Sequence, residues 1–446
     1  MCRKTFAALV ALACLAAGAG DGSGAEPTSP TPGAYLRLED LERLALANNP
    51  TLAQAEAAVR SARGQRLQAG VWPNPLIGYQ WAEVRFRDPG QSKHQFFVEQ
   101  TFVTAGKLSH GREVAFRKEA ETEADREGQR QRVLNAVRLL FYEILGAERL
   151  VELRSDLARV TREAVEISED LYNVGQADRP DMLEAEMEAE RADLELGEAR
   201  TNAETVWKLL ALAIGDPALP RARLAGDLEA ETPALDEEAV LASVAEKNPV
   251  LRSARAEVER AKAAVRLAEA GRVPNVTVRA GLGYNNQEEN GEDVGGEGFL
   301  VLAVPLPVFD RNQGRIAAAQ AELDRAQAEL RRLDLAVRGE AASALRSYRD
   351  SVRRAERYRS GVLPRAQEAY ELYLAGFRRM AAAYPQVLIA QRNLGQVRVE
   401  YVNALVDAWQ TAVGLQGYLL TGALTPPSQT VGGEAEPVHH RSLAGP

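Results

Sequence analysis

The strongest constraint on this chain is that its 446 residues are written as two similar halves. Asn49-Pro50 opens an alanine-rich stretch in the first half, and Asn248-Pro249 opens another in the second. The segment 171–175 (Leu-Tyr-Asn-Val-Gly) is echoed by 372–376 (Leu-Tyr-Leu-Ala-Gly), and the second half carries four extra residues just beyond it. A duplication must be settled before domains are assigned, because both copies are expected to fold alike. The two repeats are predicted at 35–225 and 226–424.

The two ends of the chain differ from the repeats. Basic residues, an apolar stretch and small residues give 1–19 the layout of a signal peptide, so the chain is expected to be exported. Cys2 and Cys14 lie there and are the only cysteines, which predicts no disulfide and no cysteine metal site in the mature chain. The sequence before Cys14 resembles a bacterial lipoprotein signal. Acylation of Cys14 and its loss by cleavage after Ala17 or Ala19 both stay open. Segments 20–34 and 425–446 are predicted to be flexible tails.

Each repeat has the same predicted order of elements. Two helices end at a Gly-Pro-containing turn, two strands follow, and a very long helix then leads to a break and a return helix. The strands are predicted at 75–86, 94–102, 276–284 and 298–308, with an acidic, glycine-rich loop at 285–297. The long helices are predicted at 109–172 and 314–375, with return helices at 181–213 and 385–418. Helices of this length are not compatible with a compact enzyme core.

Strand length and composition together indicate a membrane protein. The net charge of −9 gives no basic excess for nucleic-acid binding, and no apolar run after the N-terminus is long enough for a spanning helix. Strands of about ten residues fit a tilted bilayer-spanning β-strand. Four strands cannot close a barrel, and an open edge is not tolerated in lipid. We therefore predict a mostly α protein with long antiparallel coiled-coil hairpins and four strands per protomer, whose homotrimer forms one 12-stranded membrane β-barrel.

The segment 304–316 (Val-Pro-Leu-Pro-Val-Phe-Asp-Arg-Asn-Gln-Gly-Arg-Ile), with its counterpart around 100–107, resembles the strand-to-helix turns of the TolC-type outer-membrane efflux proteins, especially the heavy-metal and cation branch. The resemblance implies a homotrimeric channel in the outer membrane of a Gram-negative bacterium, with a helical tunnel in the periplasm. It also implies a periplasmic adaptor and a proton-driven inner-membrane pump as partners. The turn residues it singles out are Gly106, Lys107, Pro307, Asp310, Asn312 and Gly314.

The two helix breaks correspond to the periplasmic tips, which in the family meet the adaptor and close the channel. The candidate residues at the tips are Gly175, Asp178, Asp181, Gly376, Arg378, Arg379 and Tyr384. Our hypothesis is that acidic groups of the first tip and basic groups of the second hold the channel closed through ion pairs. The alternative is that these residues are helix caps or solvated charges. The family's constricting aspartates are expected near the second tip, where this chain has arginines.

No serine, histidine or metal motif in the sequence supports catalysis, so the prediction is a non-enzyme without a cofactor. The predicted function is a passive outer-membrane channel subunit of a tripartite efflux system, carrying heavy-metal cations or small toxic compounds. Two alternatives stay open. One is the channel of a type I protein secretion system, and the other is a periplasmic coiled-coil protein that makes no pore.

Overall fold

The computed structural model describes residues 35–82, 92–175, 177–289, 292–379, 381 and 384–426. The predicted signal peptide with Cys14, the segment 20–34 and nearly all of the C-terminal tail lie outside the described residues.

The element order repeats along the chain. In each half two helices are followed by two strands, a long helix and a return helix. The helices are α1 (Leu38–Asn48), α2 (Pro50–Ala69), α3 (Lys107–Asn173), α4 (Arg179–Ile214), α5 (Glu237–Lys247), α6 (Pro249–Ala270), α7 (Gln313–Arg357), α8 (Leu363–Arg378) and α9 (Tyr384–Gln416). The strands are β1 (Leu76–Ala82), β2 (Lys93–Phe102), β3 (Val276–Glu289) and β4 (Glu292–Ala303). In the part of the chain that the structure describes, no helix has both the length and the apolar character needed to cross a membrane.

The duplicated Asn-Pro motif starts a helix in both halves. The Oδ1 atom of Asn49 accepts a hydrogen bond from the Thr51 backbone N–H at 2.9 Å, and Asn248 Oδ1 accepts one from the Val250 N–H at 2.8 Å. Proline suits the first helical position that follows, since its missing N–H would have no partner there. Asn49 also donates through Nδ2 to the carbonyl of Ala213 at 2.7 Å, which ties the start of α2 to the end of α4.

The long helix α3 has 67 residues, which corresponds to about 100 Å at 1.5 Å per residue. Its apolar positions Val133, Val137, Phe141 and Ile144 are buried in the main core with residues of α1, α4 and α9. Where α9 crosses α3, Gly146 leaves room for Val406: a Cβ at position 146 would stand 2.3 Å from a methyl group of Val406. The buried core therefore follows the lines along which these helices contact one another.

The second long helix is interrupted, contrary to the prediction of one helix over 314–375. A π-helix at Tyr358–Val362 joins α7 to α8, and the Leu363 N–H donates to the carbonyl of Tyr358. Pro364 follows directly. Because proline has no N–H and its ring clashes with the carbonyl four residues back, a regular α-helix cannot continue unchanged through it.

The strands form one antiparallel sheet in the order β1-β2-β3-β4. The predicted loop 285–297 is wrong in extent, because β3 continues to Glu289 and β4 begins at Glu292, with Glu288 paired to Asp293 across the ladder. A hairpin ladder can continue into residues of low strand propensity once its register is fixed. At the other end β4 stops at Ala303, so the predicted strand to 308 is too long.

Candidate functional site

One face of the sheet is apolar along its length. Residues that pair directly across antiparallel strands point to the same side, and Tyr79 pairs with Phe96, which pairs with Leu282. The exposed apolar side chains on this face are Ile77, Tyr79, Trp81, Phe96, Val98, Leu282, Tyr284, Leu300 and Leu302. Ile77 and Leu282 are 76% and 75% exposed in the single chain. A continuous apolar face of this kind marks a surface that contacts lipid or protein.

The opposite face of the sheet carries an ion pair and other polar groups. Glu99 accepts from Arg279, with the carboxylate 2.7 Å from Nε and 2.6 Å from Nη2, and the guanidinium lies 4.5 Å from the centre of the Phe97 ring. Asn285 donates to Glu297 at 3.0 Å farther along the strands. The sheet thus has one apolar face and one face with the ion pair, in agreement with the alternation of Val276, Val278 and Ala280 with Thr277 and Arg279 in the sequence.

The turn after β2 joins the two repeats. Ala105 and Gly106 have φ values of 55° and 65°, a conformation that suits glycine at the start of α3. Lys107 Nζ donates to the side-chain oxygen of Asn275 at 2.6 Å and to the carbonyl of Val273. Burial lowers the pKa of the Lys107 ammonium. Lys107 therefore fastens the turn of the first repeat to the helix-to-strand connection of the second.

The turn after β4 is anchored at one end and exposed at the other. Asn312, at φ 62°, precedes α7; its N–H donates to Asp310 Oδ1 at 2.8 Å, and its Nδ2 donates to the carbonyl of Ala268 at 2.6 Å. Gly314 lies in the first turn of α7 with open space around it. Pro307 stands between two apolar side chains, Leu306 and Phe309, that are 80% and 91% exposed. Such exposure in a single chain indicates a contact with another molecule.

At the first tip, both predicted aspartates serve as helix caps. Gly175 has φ 77° just after α3 ends. The Asp181 carboxylate accepts from the Asp178 N–H at 3.4 Å, and the Asp181 N–H donates to the Asp178 carbonyl oxygen at 3.1 Å, at the start of α4. The structure thus gives these two residues a local role, and their function as a gate stays a prediction.

At the second tip, the prediction of a break at Gly376 is wrong. Helix α8 continues through Gly376 to Arg378, and Arg379 is its C-cap. α9 begins at Tyr384. Gly376 therefore lies inside α8, two residues before its last residue.

Tyr384 holds the two tips together. Its ring packs against Phe377 at 5.0 Å between centroids and against the buried cluster of Ala164, Ala185 and Leu388, which joins α3, α4 and α9. Burial, with a smaller contribution from Tyr370, raises the pKa of Tyr384 to about 12. Within the described residues of one chain, no salt bridge links the first-tip aspartates to Arg378 or Arg379.

Sequence reasoning missed the ion pair that connects the two hairpins above the tips. The Arg392 guanidinium of α9 donates to both carboxylate oxygens of Glu188 on α4, at 3.0 and 2.7 Å. The two residues are 204 positions apart, and neither belongs to a recognisable motif. Only the equivalence of the two repeats could have suggested that these helices meet.

Two tall antiparallel hairpins beneath a four-stranded sheet with one apolar face are the architecture of an export channel subunit. The chain belongs to the outer membrane efflux protein family, whose sequence profile matches residues 41–216 and 240–419. It is therefore an outer-membrane component of an efflux system, with its helices in the periplasm.

Known proteins resemble the chain over most of its length. It is 27% identical over 384 residues to the cobalt-zinc-cadmium resistance protein CzcC of Cupriavidus metallidurans, covering 86% of this chain and 90% of CzcC. The crystal structure of CusC has a TM-score of 0.74 at 16% identity, covering 89% of this chain and 98% of CusC. VceC of Vibrio cholerae has a TM-score of 0.72 at 21% identity, covering 86% and 96%. These structures share the fold.

Proposed function

We propose that three copies of this chain close a 12-stranded barrel and form a passive channel for divalent heavy-metal cations. The observation that carries the proposal is the sheet: its apolar face extends to both edges, and β1 and β4 have no partner strand on their outer sides in the described chain. An edge facing lipid would leave backbone N–H and C=O groups unpaired, at several kcal/mol each. Pairing β4 of one copy with β1 of the next forms three seams and removes all six edges.

The proposed cargo rests on the resemblance to CzcC, a cobalt-zinc-cadmium resistance protein, over nearly the full length of both chains. The charge of the chain agrees with a cationic cargo. Residues 151–204, which form the lower part of α3 and most of α4, contain 16 acidic and 6 basic side chains. A negative field of this kind raises the local concentration of cations. A periplasmic adaptor and a proton-driven pump would supply the ions, because the chain has no motor of its own.

The test combines assembly, conductance and resistance. We expect the full chain, purified from outer membranes, to run as a heat-sensitive trimer and to give discrete conductance steps in a planar bilayer. Deletion in the native host is expected to increase sensitivity to zinc, cobalt and cadmium, with restoration by the intact gene. A monomer without conductance would refute the channel. Normal metal resistance together with loss of a secreted polypeptide would instead indicate protein secretion.

A further inference from the structure

A cavity of about 210 Å³ lies within one chain, between α3 and the hairpin formed by α8 and α9. Its apolar wall includes Leu157 and Val160 of α3, Tyr370 of α8 and Leu394 of α9. None of the residues singled out from the sequence as tip or turn residues lines it. The cavity is therefore a separate feature of the seam between the two hairpins.

Gly395 of α9 provides part of this space. Glycine inside a helix is destabilising relative to alanine, so a packing reason is expected for it. At Gly146 that reason is a collision, because an added Cβ would stand 2.3 Å from Val406. A Cβ at position 395 would stand 3.6 Å from a methyl group of Leu157, which is an ordinary van der Waals distance. Close packing of the helices thus does not require glycine at 395, and its effect is to widen the cavity.

Two hydrogen-bond donors of α9 line the cavity and lack the partners that such groups normally have. Gln391 Nε2 is buried and has no hydrogen-bond partner. The half-buried Arg398 donates to the neutral Gln367 Oε1 at 2.8 Å, and among the described residues no carboxylate oxygen lies within 4.0 Å of its guanidinium. Buried polar groups are normally paired, and a buried charge normally has a counter-charge.

The spacing of these donors defines the shape of a ligand. Gln391 and Arg398 are seven residues apart, which places them on one face of α9 about 10 Å apart along its axis. Gly395 lies on the same face between them. A ligand that satisfies both donors therefore has an acceptor at each end and a flat apolar middle.

We propose that this cavity binds a small aromatic monocarboxylate that carries a carbonyl group para to the carboxylate. The carboxylate pairs with Arg398, the ring lies in the space at Gly395 against Leu157, and the carbonyl oxygen accepts from Gln391 Nε2. The proposal goes beyond the proposed function, because this ligand is not a metal cation and its site lies inside one chain.

Charge and size favour this class of ligand. Of the charged residues that line the cavity, Arg154, Asp156 and Arg159 have ion-pair partners, whereas Arg398 has none among the described residues. The lining thus favours one negative charge and disfavours a divalent cation, and an arginine can bind a carboxylate through two N–H groups. Drug-sized ligands occupy cavities of about 300 to 1,000 Å³, so this smaller one suits about twelve non-hydrogen atoms.

The test uses para-acetylbenzoate as the probe, titrated into the full-length protein in detergent and followed by ligand-observed NMR. We expect saturable binding with a Kd on the order of 1 mM, as for other ligands of about twelve non-hydrogen atoms. Two analogues of the same shape should bind at least fivefold more weakly. They are para-ethylbenzoate, which lacks the carbonyl acceptor, and para-acetylbenzamide, which lacks the charge.

Variants assign the binding to the cavity. Arg398→Leu should weaken binding of the probe by about tenfold or more, as expected for loss of a hydrogen bond to a charged group. Gln391→Leu should abolish the preference for para-acetylbenzoate over para-ethylbenzoate. Gly395→Leu fills the cavity and should abolish binding, and Gly395→Ala, which the packing accepts, should weaken it. Arg392→Leu removes another arginine of α9, whose partner Glu188 lies outside the cavity, and should leave the affinity unchanged.

Absence of saturable binding would overturn the proposal. Equal affinities of the unmodified protein, Arg398→Leu and Gly395→Ala would also overturn it, because they would show partition into detergent or a site elsewhere. Since the cavity lies inside one chain, the probe should bind whether or not the chain forms trimers. Loss of the trimer or of conductance would therefore refute the proposed function and leave this inference standing.

Discussion

The duplication predicts the register in which β4 of one copy pairs with β1 of the next. Leu76 pairs with Glu99 in the first hairpin, and Thr277 pairs with Ala303 in the second, so β1 maps to β3 by 201 residues and β2 maps to β4 by 204. Within the chain Val98 pairs with Ala280 across the repeat boundary. Applying these two differences to Val98 and Ala280 gives the counterpart of the pair between copies: Leu302 of β4 lies opposite Tyr79 of β1 in the next copy. Both side chains belong to the apolar face, as the pairing requires.

Sheet geometry decides in which register a disulfide can form between β4 and β1. Directly opposite residues of an antiparallel pair have Cα atoms about 4.5 to 5.5 Å apart, within the reach of a disulfide. A shift by one residue is excluded because it turns the apolar face of β4 inward. A shift by two residues preserves the face but moves Leu302 to a diagonal position, at about 7 to 8 Å, where a disulfide does not form without backbone movement.

The assay is oxidation of double-cysteine variants in outer membranes with a lipid-soluble copper catalyst, followed by non-reducing denaturing gels. We expect Leu302→Cys with Tyr79→Cys to give covalent trimers, and Leu302→Cys with Ile77→Cys to give little product. Gln80→Cys, on the polar face, is the control for thiols that lie near the seam but point away. Efficient linking through Ile77 instead of Tyr79 would show that the two seams are not equivalent, and the reasoning from duplication would then be wrong.

Three further predictions concern stability in detergent, measured by circular dichroism. Asn49→Ala removes a helix cap and the 2.7 Å hydrogen bond to Ala213, so it should lower the free energy of unfolding by about 2 kcal/mol. Asn248→Ala should lower it by about 1 kcal/mol, because the second hydrogen bond of Asn248 is 3.5 Å long. Equal losses would contradict this prediction. Gly197 has open space around it, so Gly197→Ala should stabilise α4 by up to about 1 kcal/mol. Gly146→Ala should destabilise the protein because the added methyl group would collide with Val406. An increase in stability of Gly146→Ala would refute the packing argument. Because the pKa of Tyr384 is raised to about 12, its contribution to stability is complete below pH 10 and is lost as the pH rises toward 12. Tyr384→Phe should reduce this alkaline loss, and an unchanged alkaline profile would exclude Tyr384 as its source.

The sequence predicts the architecture well because its strongest signals are periodic. Apolar residues three and four positions apart along 109–172, such as Val133, Val137 and Leu140, and the alternation along 276–284 indicate which face of a helix or strand packs against apolar surroundings. The failures occur where local composition and tertiary context disagree. Residues 285–289 and 292–297 have the composition of a loop but continue the ladder of a hairpin. Gly376 is of a residue type that commonly ends helices but lies inside α8.

The candidate site is less accessible to sequence reasoning, because its contacts join residues far apart in the chain. Lys107 is recognisable as a turn residue, yet its bond to Asn275 depends on the second repeat lying beside the first. The aspartates of the first tip can be predicted as caps from Pro180 and their spacing. The open cavity between α8 and α9 has no sequence signature, since its lining, which includes Val362, Ala369 and Ala390 beside Arg357 and Arg365, matches no motif.

The two kinds of seam in the proposed ring differ in chemistry, and this difference predicts where the tunnel opens. Within the chain, Tyr142 of α3 stacks on Trp409 of α9 with centroids 4.4 Å apart, a contact that contributes about 0.5 to 1.5 kcal/mol beyond its burial. Above the π-helix the buried residues of α3 and α7 differ by 204. In the proposed ring the counterparts of Tyr142 and Trp409 between copies would be Arg346 and Glu204, and an exposed ion pair between them would contribute at most about 1 kcal/mol. We therefore expect the seam between copies to be the weaker one and the hairpins to separate there. Ala164 of α3 and Leu388 of α9 share a buried cluster within the chain. The two repeats differ by 205 residues at the helix ends near the tips, so the counterparts of this pair between copies would be Ala369 and Leu183. A disulfide between Leu183→Cys and Ala369→Cys should therefore hold the channel in its low-conductance state until it is reduced, while a disulfide within the chain between Ala164→Cys and Leu388→Cys should leave conductance unchanged. Equal conductance of the oxidised and reduced 183–369 variant would refute opening at this seam.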